Sequence, residues 1–261
     1  MVIQGRILSL LILIAYFLMY YYLTNQQRTG KRKISIRTFP AIEAIPEAIG
    51  RCAEMGTPLF FYTGWSRGSI SNPVAGPMLM AGINVLGYTT RLCINRGVQP
   101  IYFNEVADSL SFAEDTLRSA YRMENKSEEY DPNMIIYQPG QGPMLSTYMS
   151  MLEEKKPGAC LVIGSPSYET IILGEAGKVV GAMQIGGTAN INQLAFMIAT
   201  MDYALINEEI YAVSAAISND VDNLACIAAE DILKVFLLAL IAIGFSLAFA
   251  RIPWIINFLG V

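Results

Sequence analysis

Pro58-Leu59-Phe60-Phe61-Tyr62-Thr63-Gly64-Trp65-Ser66-Arg67-Gly68 constrains the fold more than any other stretch of the chain. The apolar and aromatic run Leu59–Tyr62 reads as a strand buried on both faces, and the polar, glycine-bounded segment after it reads as a turn. A helix rich in small residues follows from about Val74. The same cadence returns at Val98, Asn133, Ala159 and Gly181. Short apolar strands alternating with helices predict an α/β fold: a doubly wound, mostly parallel, Rossmann-like sheet covered on both faces.

Taken in order, the pattern places strands at Leu59–Tyr62, Val98–Phe103, Asn133–Tyr137, Ala159–Ile163 and Val179–Ile185, with a short sixth near Tyr203–Ile206. Gly186-Gly187-Thr188-Ala189-Asn190 reads as the turn that ends the fifth. Helices are expected at Val74–Asn95, Ser109–Asn125, Met144–Lys155, Tyr168–Glu175, Ile191–Met201 and Glu208–Ile217. Before the first strand, Thr38-Phe39-Pro40 opens a helix that Gly56 closes, with Pro46 as a point of kinking or of delayed start.

The two ends differ from this core. Ile7–Tyr22 carries no charge, and Tyr16, Tyr20, Tyr21 and Tyr22 crowd its far end like an interfacial belt. The run is longer than the apolar region of a usual signal peptide, and a basic cluster follows it directly, so an uncleaved anchor is expected. Asp222–Lys234 leads into a second charge-free run, Val235–Ala250, and an apolar tail with Pro253 and Trp254. These features predict one transmembrane helix at each end: residues 1–25, a basic linker 26–37, an α/β domain 38–231, and a second span with its tail at 232–261. Arg28, Lys31, Arg32, Lys33 and Arg37 follow the first span while Arg6 alone precedes it. By the positive-inside rule the protein sits in the cell membrane with the domain cytoplasmic and both termini outside.

A net charge of −4 with scattered signs argues against nucleic acid as a partner. The chain has no histidine, which removes Ser-His-Asp and Cys-His catalysis and histidine metal sites. Cys52, Cys93, Cys160 and Cys226 lie far apart in apolar surroundings and read as buried, reduced thiols. Neither a Walker A motif nor a GxGxxG fingerprint is present, so no cofactor is expected. Asp220-Val221-Asp222-Asn223 has the oxygen-rich look of a cation loop, but a helix cap explains it more simply, and no metal is expected.

Ligands of open parallel sheets bind outside the carboxyl ends of the strands. Those ends offer Thr63, Ser66 and Arg67, then Asn104 and Glu105, Gln138, Ser165 and Ser167, and Thr188 and Asn190. Such a set suits a small polar or anionic ligand with Arg67 as charge partner, and equally suits ordinary turns that satisfy their own backbone. Glu169 and Glu175 stand near the fourth turn as possible acids or bases. On the second span Ala242, Ser246 and Ala250 form a small-residue stripe for helix association.

Leu173-Gly174-Glu175-Ala176-Gly177, Gln184, Gly186-Gly187-Thr188, Ala199-Thr200-Met201-Asp202 and Glu208-Glu209 together resemble a family of archaeal and bacterial membrane-anchored proteins known as a domain of unknown function. Pro40–Pro58, with Glu47-Ala48-Ile49-Gly50-Arg51 and Glu54-Met55-Gly56, resembles that family's opening helix, so the likeness covers roughly Thr38–Lys234. Many members are expected to carry His-Pro after the aspartate, where this chain has Tyr203-Ala204. The resemblance implies the anchors and domain limits, and no activity. The expected function is a non-catalytic, membrane-anchored homo-oligomeric scaffold whose partners are lipid, other copies of itself and a further membrane complex. The alternative is a membrane-tethered sensor or enzyme for a small polar ligand.

Overall fold

The computed structural model describes residues 7–29, 39–65, 69–218 and 220–249, with the side chains of 7–9 and 247–249 left aside. The described residues form two compact units, one from 7–29 with 220–249 and one from 39–65 with 69–218.

The larger unit opens with α2 (Pro40–Met55) and then runs β1 (Leu59–Tyr62), α3 (Ala75–Arg96), β2 (Pro100–Asn104), α4 (Ala107–Met123), β3 (Ile135–Tyr137) and α5 (Gln141–Lys155). It continues with β4 (Ala159–Gly164), α6 (Glu169–Val180), β5 (Met183–Thr188), α7 (Ile191–Thr200), β6 (Tyr203–Ile206) and α8 (Glu209–Ser218). All strand pairs are parallel, in the order β3-β2-β1-β4-β5-β6. The chain winds outward in one direction from β1 and in the other from β4, so the order reverses between them.

The central strands β1, β2 and β4 are buried along their whole length, which explains their continuous apolar runs. Alternate residues divide between two layers. Phe60, Tyr62, Ile101, Phe103, Cys160 and Val162 pack with Tyr148 and Leu152 of α5, Leu173 of α6 and Met197 of α7. The opposite face is covered by α3, with α2, α4 and α8 beside it. Gly82 lets α3 lie against the end of β4, because a Cβ there would stand 2.2 Å from the Ile163 carbonyl oxygen.

Several sequence expectations shift, among them the second strand, which lies at Pro100–Asn104 rather than at Val98–Phe103. The fifth strand lies at Met183–Thr188 rather than at the expected Val179–Ile185. Val179 and Val180 instead finish α6, where Gly181 in the left-handed region (φ 73°) caps the helix by donating to the Gly177 and Lys178 carbonyls. The Gly186-Gly187-Thr188 segment, expected as a turn, is strand. Pro46 neither breaks nor delays α2, which runs unbroken from Pro40. Thr38, expected to cap that helix, lies outside the described residues.

The smaller unit pairs α1 (Ile7–Arg28) with α9 (Val221–Phe249). Leu23 packs against Ala225 and Ala229, with Tyr16, Met19 and Tyr20 alongside. The Arg28 guanidinium donates to both Asp222 carboxylate oxygens at 2.8 Å. Asp220 caps α9: its Oδ1 accepts from the Asp222 amide at 3.0 Å. Among the described residues no helix is long and apolar enough to cross a membrane, so the two flanking spans are not part of the observed fold. Parts of both expected spans lie outside the described side chains.

Candidate functional site

At the carboxyl edge of the sheet, next to the reversal between β1 and β4, two glutamates converge on one phenol. Tyr62 ends β1 on the α5–α6 side. Glu105, one residue beyond β2, points to the same side by strand alternation. Glu169 is the first residue of α6. The Tyr62 hydroxyl lies within hydrogen-bond reach of Glu105 Oε1 and, at 3.1 Å, of Glu169 Oε1. Glu169 also accepts from the Ser167 amide at 2.9 Å and from Gln141 Nε2 at 3.0 Å. Glu105 and Glu169 are 4% and 2% exposed, and Glu105 Oε2 is buried without a partner among the described residues.

Burial dominates the electrostatics here. It lifts the Glu105 carboxyl from its ordinary 4.5 to about 7, with the Tyr62 hydroxyl pulling down and the Glu169 charge pushing further up. Glu169 is raised as well, again first by burial, against the opposing pull of its hydrogen bonds. Tyr62 is pushed well above the phenol range by burial and by the two carboxylates. The space among Tyr62, Met144, Leu145, Tyr148, Glu169 and Leu173 is too tight to hold a water molecule.

The other expected positions divide by face. Thr63 Oγ1 sits 2.8 Å from the Tyr102 hydroxyl, both buried on the α3 side. Asn104 Oδ1 accepts from the Val106 amide and the Ser109 hydroxyl, so it holds the start of α4, while its Nδ2 is buried without a partner. The Ser165 amide donates to the Thr63 carbonyl at 2.8 Å. Thr188 Oγ1 accepts from the Asn190 amide, and Asn190 caps α7 and donates to the Pro166 carbonyl. The Gln138 amide donates to the Asn104 carbonyl at 3.0 Å. Ser66 and Arg67, the expected charge partner, lie outside the described residues. Among the described residues, then, Glu105, Ser167 and Glu169 come together, while Thr63 and Asn104 face the opposite layer. Glu175 is exposed beside Lys178. Tyr62 and Gln141 belong to the cluster although the sequence pattern does not mark them as site residues. The signal for Tyr62 is its place two residues after Phe60 at the end of a buried strand.

On the smaller unit Ala242 and Ser246 are exposed on α9, the Ser246 hydroxyl donating back to the Ala242 carbonyl at 2.8 Å. Ala250 lies outside the described residues. Cys52, Cys93 and Cys160 are buried free thiols and Cys226 is half-buried.

Strand order and winding make the larger unit a doubly wound α/β domain, with its buried carboxylate cluster at the position where such sheets hold ligands. The chain belongs to the family described as Domain of unknown function (DUF6754), whose model matches residues 1–259. No curated protein and no solved structure matches it. Several residues that carry the resemblance meet around the buried Gln184. Gln184, 1% exposed, donates through Nε2 to the Gly174 carbonyl at 2.8 Å, and its amide donates to Asp202 Oδ2 at 2.8 Å. A Cβ on Gly174 would meet Thr200, and one on Gly177 would meet Gln184. In this chain that motif packs α6, β5 and α7 together.

Proposed function

We propose that the protein is a membrane-anchored, non-catalytic scaffold that assembles with copies of itself. The observation that carries the anchoring is the outward surface of the α1–α9 pair. Leu11, Leu13, Phe17, Leu18, Leu238 and Phe245 are all more than half exposed, a display of large apolar side chains that water disfavours and lipid accepts. The basic residues that follow Ile7–Tyr22 support a cytoplasmic α/β unit by the positive-inside rule, and the spacing of Ala242, Ser246 and Ala250 in the sequence supports contact between spans. Self-association through the α/β unit is supported by α7, which contains no charged residue and exposes Ile191, Phe196 and Ile198, and by its neighbour α6, which exposes Ile171 and Ile172. Such a patch on a folded unit fits contact with another protein surface.

The test has two parts. Full-length protein should remain in the membrane fraction through alkaline carbonate washing and leave it only with detergent; release by carbonate alone refutes the anchor. In mild detergent, light scattering should report an oligomer that Phe196→Glu with Ile198→Glu dissociates; a wild-type monomer refutes the scaffold. The second reading, a sensor for a small polar ligand, is favoured by the unpartnered Glu105 Oε2 at the ligand-binding edge of the sheet.

A further inference from the structure

Tyr62 has one hydroxyl proton and two carboxylates within reach of it. Glu169 is well supplied as an anion, since its oxygens also accept from the Ser167 amide and Gln141 Nε2. Among the described residues Glu105 has no other donor, and its second oxygen is buried and bare. No lysine or arginine among the described residues is paired with either carboxylate. With both glutamates ionised, one O–H would face two buried anions, and Glu105 would carry a full charge with no cation among the described residues to balance it. One additional proton resolves every contact. Placed on Glu105 Oε1, it is donated to the Tyr62 oxygen, and Tyr62 in turn donates to Glu169 Oε1. The bare Oε2 is then a neutral carbonyl oxygen, which tolerates the lack of a donor better than a carboxylate does.

We propose that Glu105 is a neutral carboxylic acid in the folded protein, the donor end of a hydrogen-bond chain Glu105–Tyr62–Glu169 that holds one exchangeable proton at the carboxyl edge of the sheet. The titratable groups around it are Tyr62 from β1, Tyr102 from β2, Tyr148 from α5 and Glu169 from α6. The tyrosines are all raised above the ordinary phenol range, so Glu105 is the group that gives up a proton as pH rises. Its folded pKa of about 7 lies above the ordinary 4.5. The stability it contributes is therefore fully present below about pH 4.5 and is lost as pH rises through about 7. Losing that proton puts a second negative charge into the joint that ties β1 to the start of α6. The edge of the unit thereby becomes a pH-responsive element.

Infrared difference spectra of the full chain decide where the proton sits. Wild type at about pH 6 should show the carbonyl band of a neutral carboxylic acid, fading as pH rises past about 7. Glu169→Gln should keep that band and Glu105→Gln should lack it. Absence of the band in wild type, or its loss in Glu169→Gln and survival in Glu105→Gln, overturns the proposal. If Glu105→Gln does not fold, the band in Glu169→Gln decides alone. Amide exchange reads the energetic side. Between about pH 5 and about pH 8 the protection of β1 amides, corrected for intrinsic rates, should fall on the order of a hundredfold more in wild type than in Glu105→Gln. Equal falls in the two proteins overturn it.

Discussion

Single atoms decide much at the residue scale. Gly82→Ala pushes a methyl group to 2.2 Å from a backbone oxygen that cannot rotate away, so β4 or α3 must shift. The expected loss is about 1–3 kcal/mol, measured by urea unfolding. Gly142, near the start of α5, has open space where a Cβ would stand, with nothing within 4 Å. Pro143 opposes a Cβ on the helical residue before it and offsets the gain in helix propensity, so Gly142→Ala should change stability by less than about 1 kcal/mol. A loss from Gly142→Ala as large as that from Gly82→Ala would contradict this ranking of the two positions. The buried thiols follow the same logic. Burial pushes Cys52 up to about 11 and Cys160 up to about 12, so neither is a thiolate near neutrality. In native protein at about pH 8, maleimide should label Cys226 first and leave Cys52 and Cys160 unmodified until the unit unfolds. Rapid native labelling of Cys160 would show that its layer opens. The sequence disclosed the polar residues of the strand ends, but not which of them meet. Glu105 and Asn104 are neighbours in the chain and face opposite layers, a consequence of strand alternation that becomes useful only once the strand limits are fixed.

At the element scale, interfaces rank by burial rather than by charge. The Arg28–Asp222 pair is well formed, but its side chains are 63% and 43% exposed, so solvent screens it. Asp222→Asn should change the thermal stability of the full chain by less than about 1 kcal/mol. Ala229 is wholly buried against Leu23 and Ala225, and Ala229→Leu should cost about 1–3 kcal/mol by overpacking. A larger effect from Asp222→Asn than from Ala229→Leu would reverse the ranking. The displaced fifth strand belongs at this scale too. Val179-Val180 has the β-branched character of a strand, yet the Gly181 cap extends α6 through both residues. Local propensity and helix capping compete there, and the cap prevails because Gly181 reaches the left-handed region without strain.

For the whole molecule the two units carry separate cores. The Arg37–Ser218 unit contains the complete sheet and both of its helical layers. Residues 37–218 expressed alone should therefore unfold in one cooperative transition, followed by circular dichroism. A chain with no thermal transition would mean that the unit depends on the helical pair. Between wild type and Phe196→Glu with Ile198→Glu, that transition should be little changed, because both side chains are about half exposed and make few core contacts.

The sequence by itself determined the α/β class, β1 to within a residue, β6 at Tyr203–Ile206, and the family, because these rest on local patterns: unbroken apolar runs, glycine-bounded turns and contiguous motifs. It also marked Glu105, Ser167 and Glu169 as separate polar points along the chain. Only the tertiary structure decided that they share one edge, that Tyr62 joins the two carboxylates, and that Thr63 and Asn104 turn away from them. The physical reason is that β1, β2 and β4 are adjacent in the sheet but distant in sequence, as are Tyr62 and Glu169. Their common environment, and the shared proton it calls for, arises from strand order and burial, and neither of these is written in any local stretch of residues.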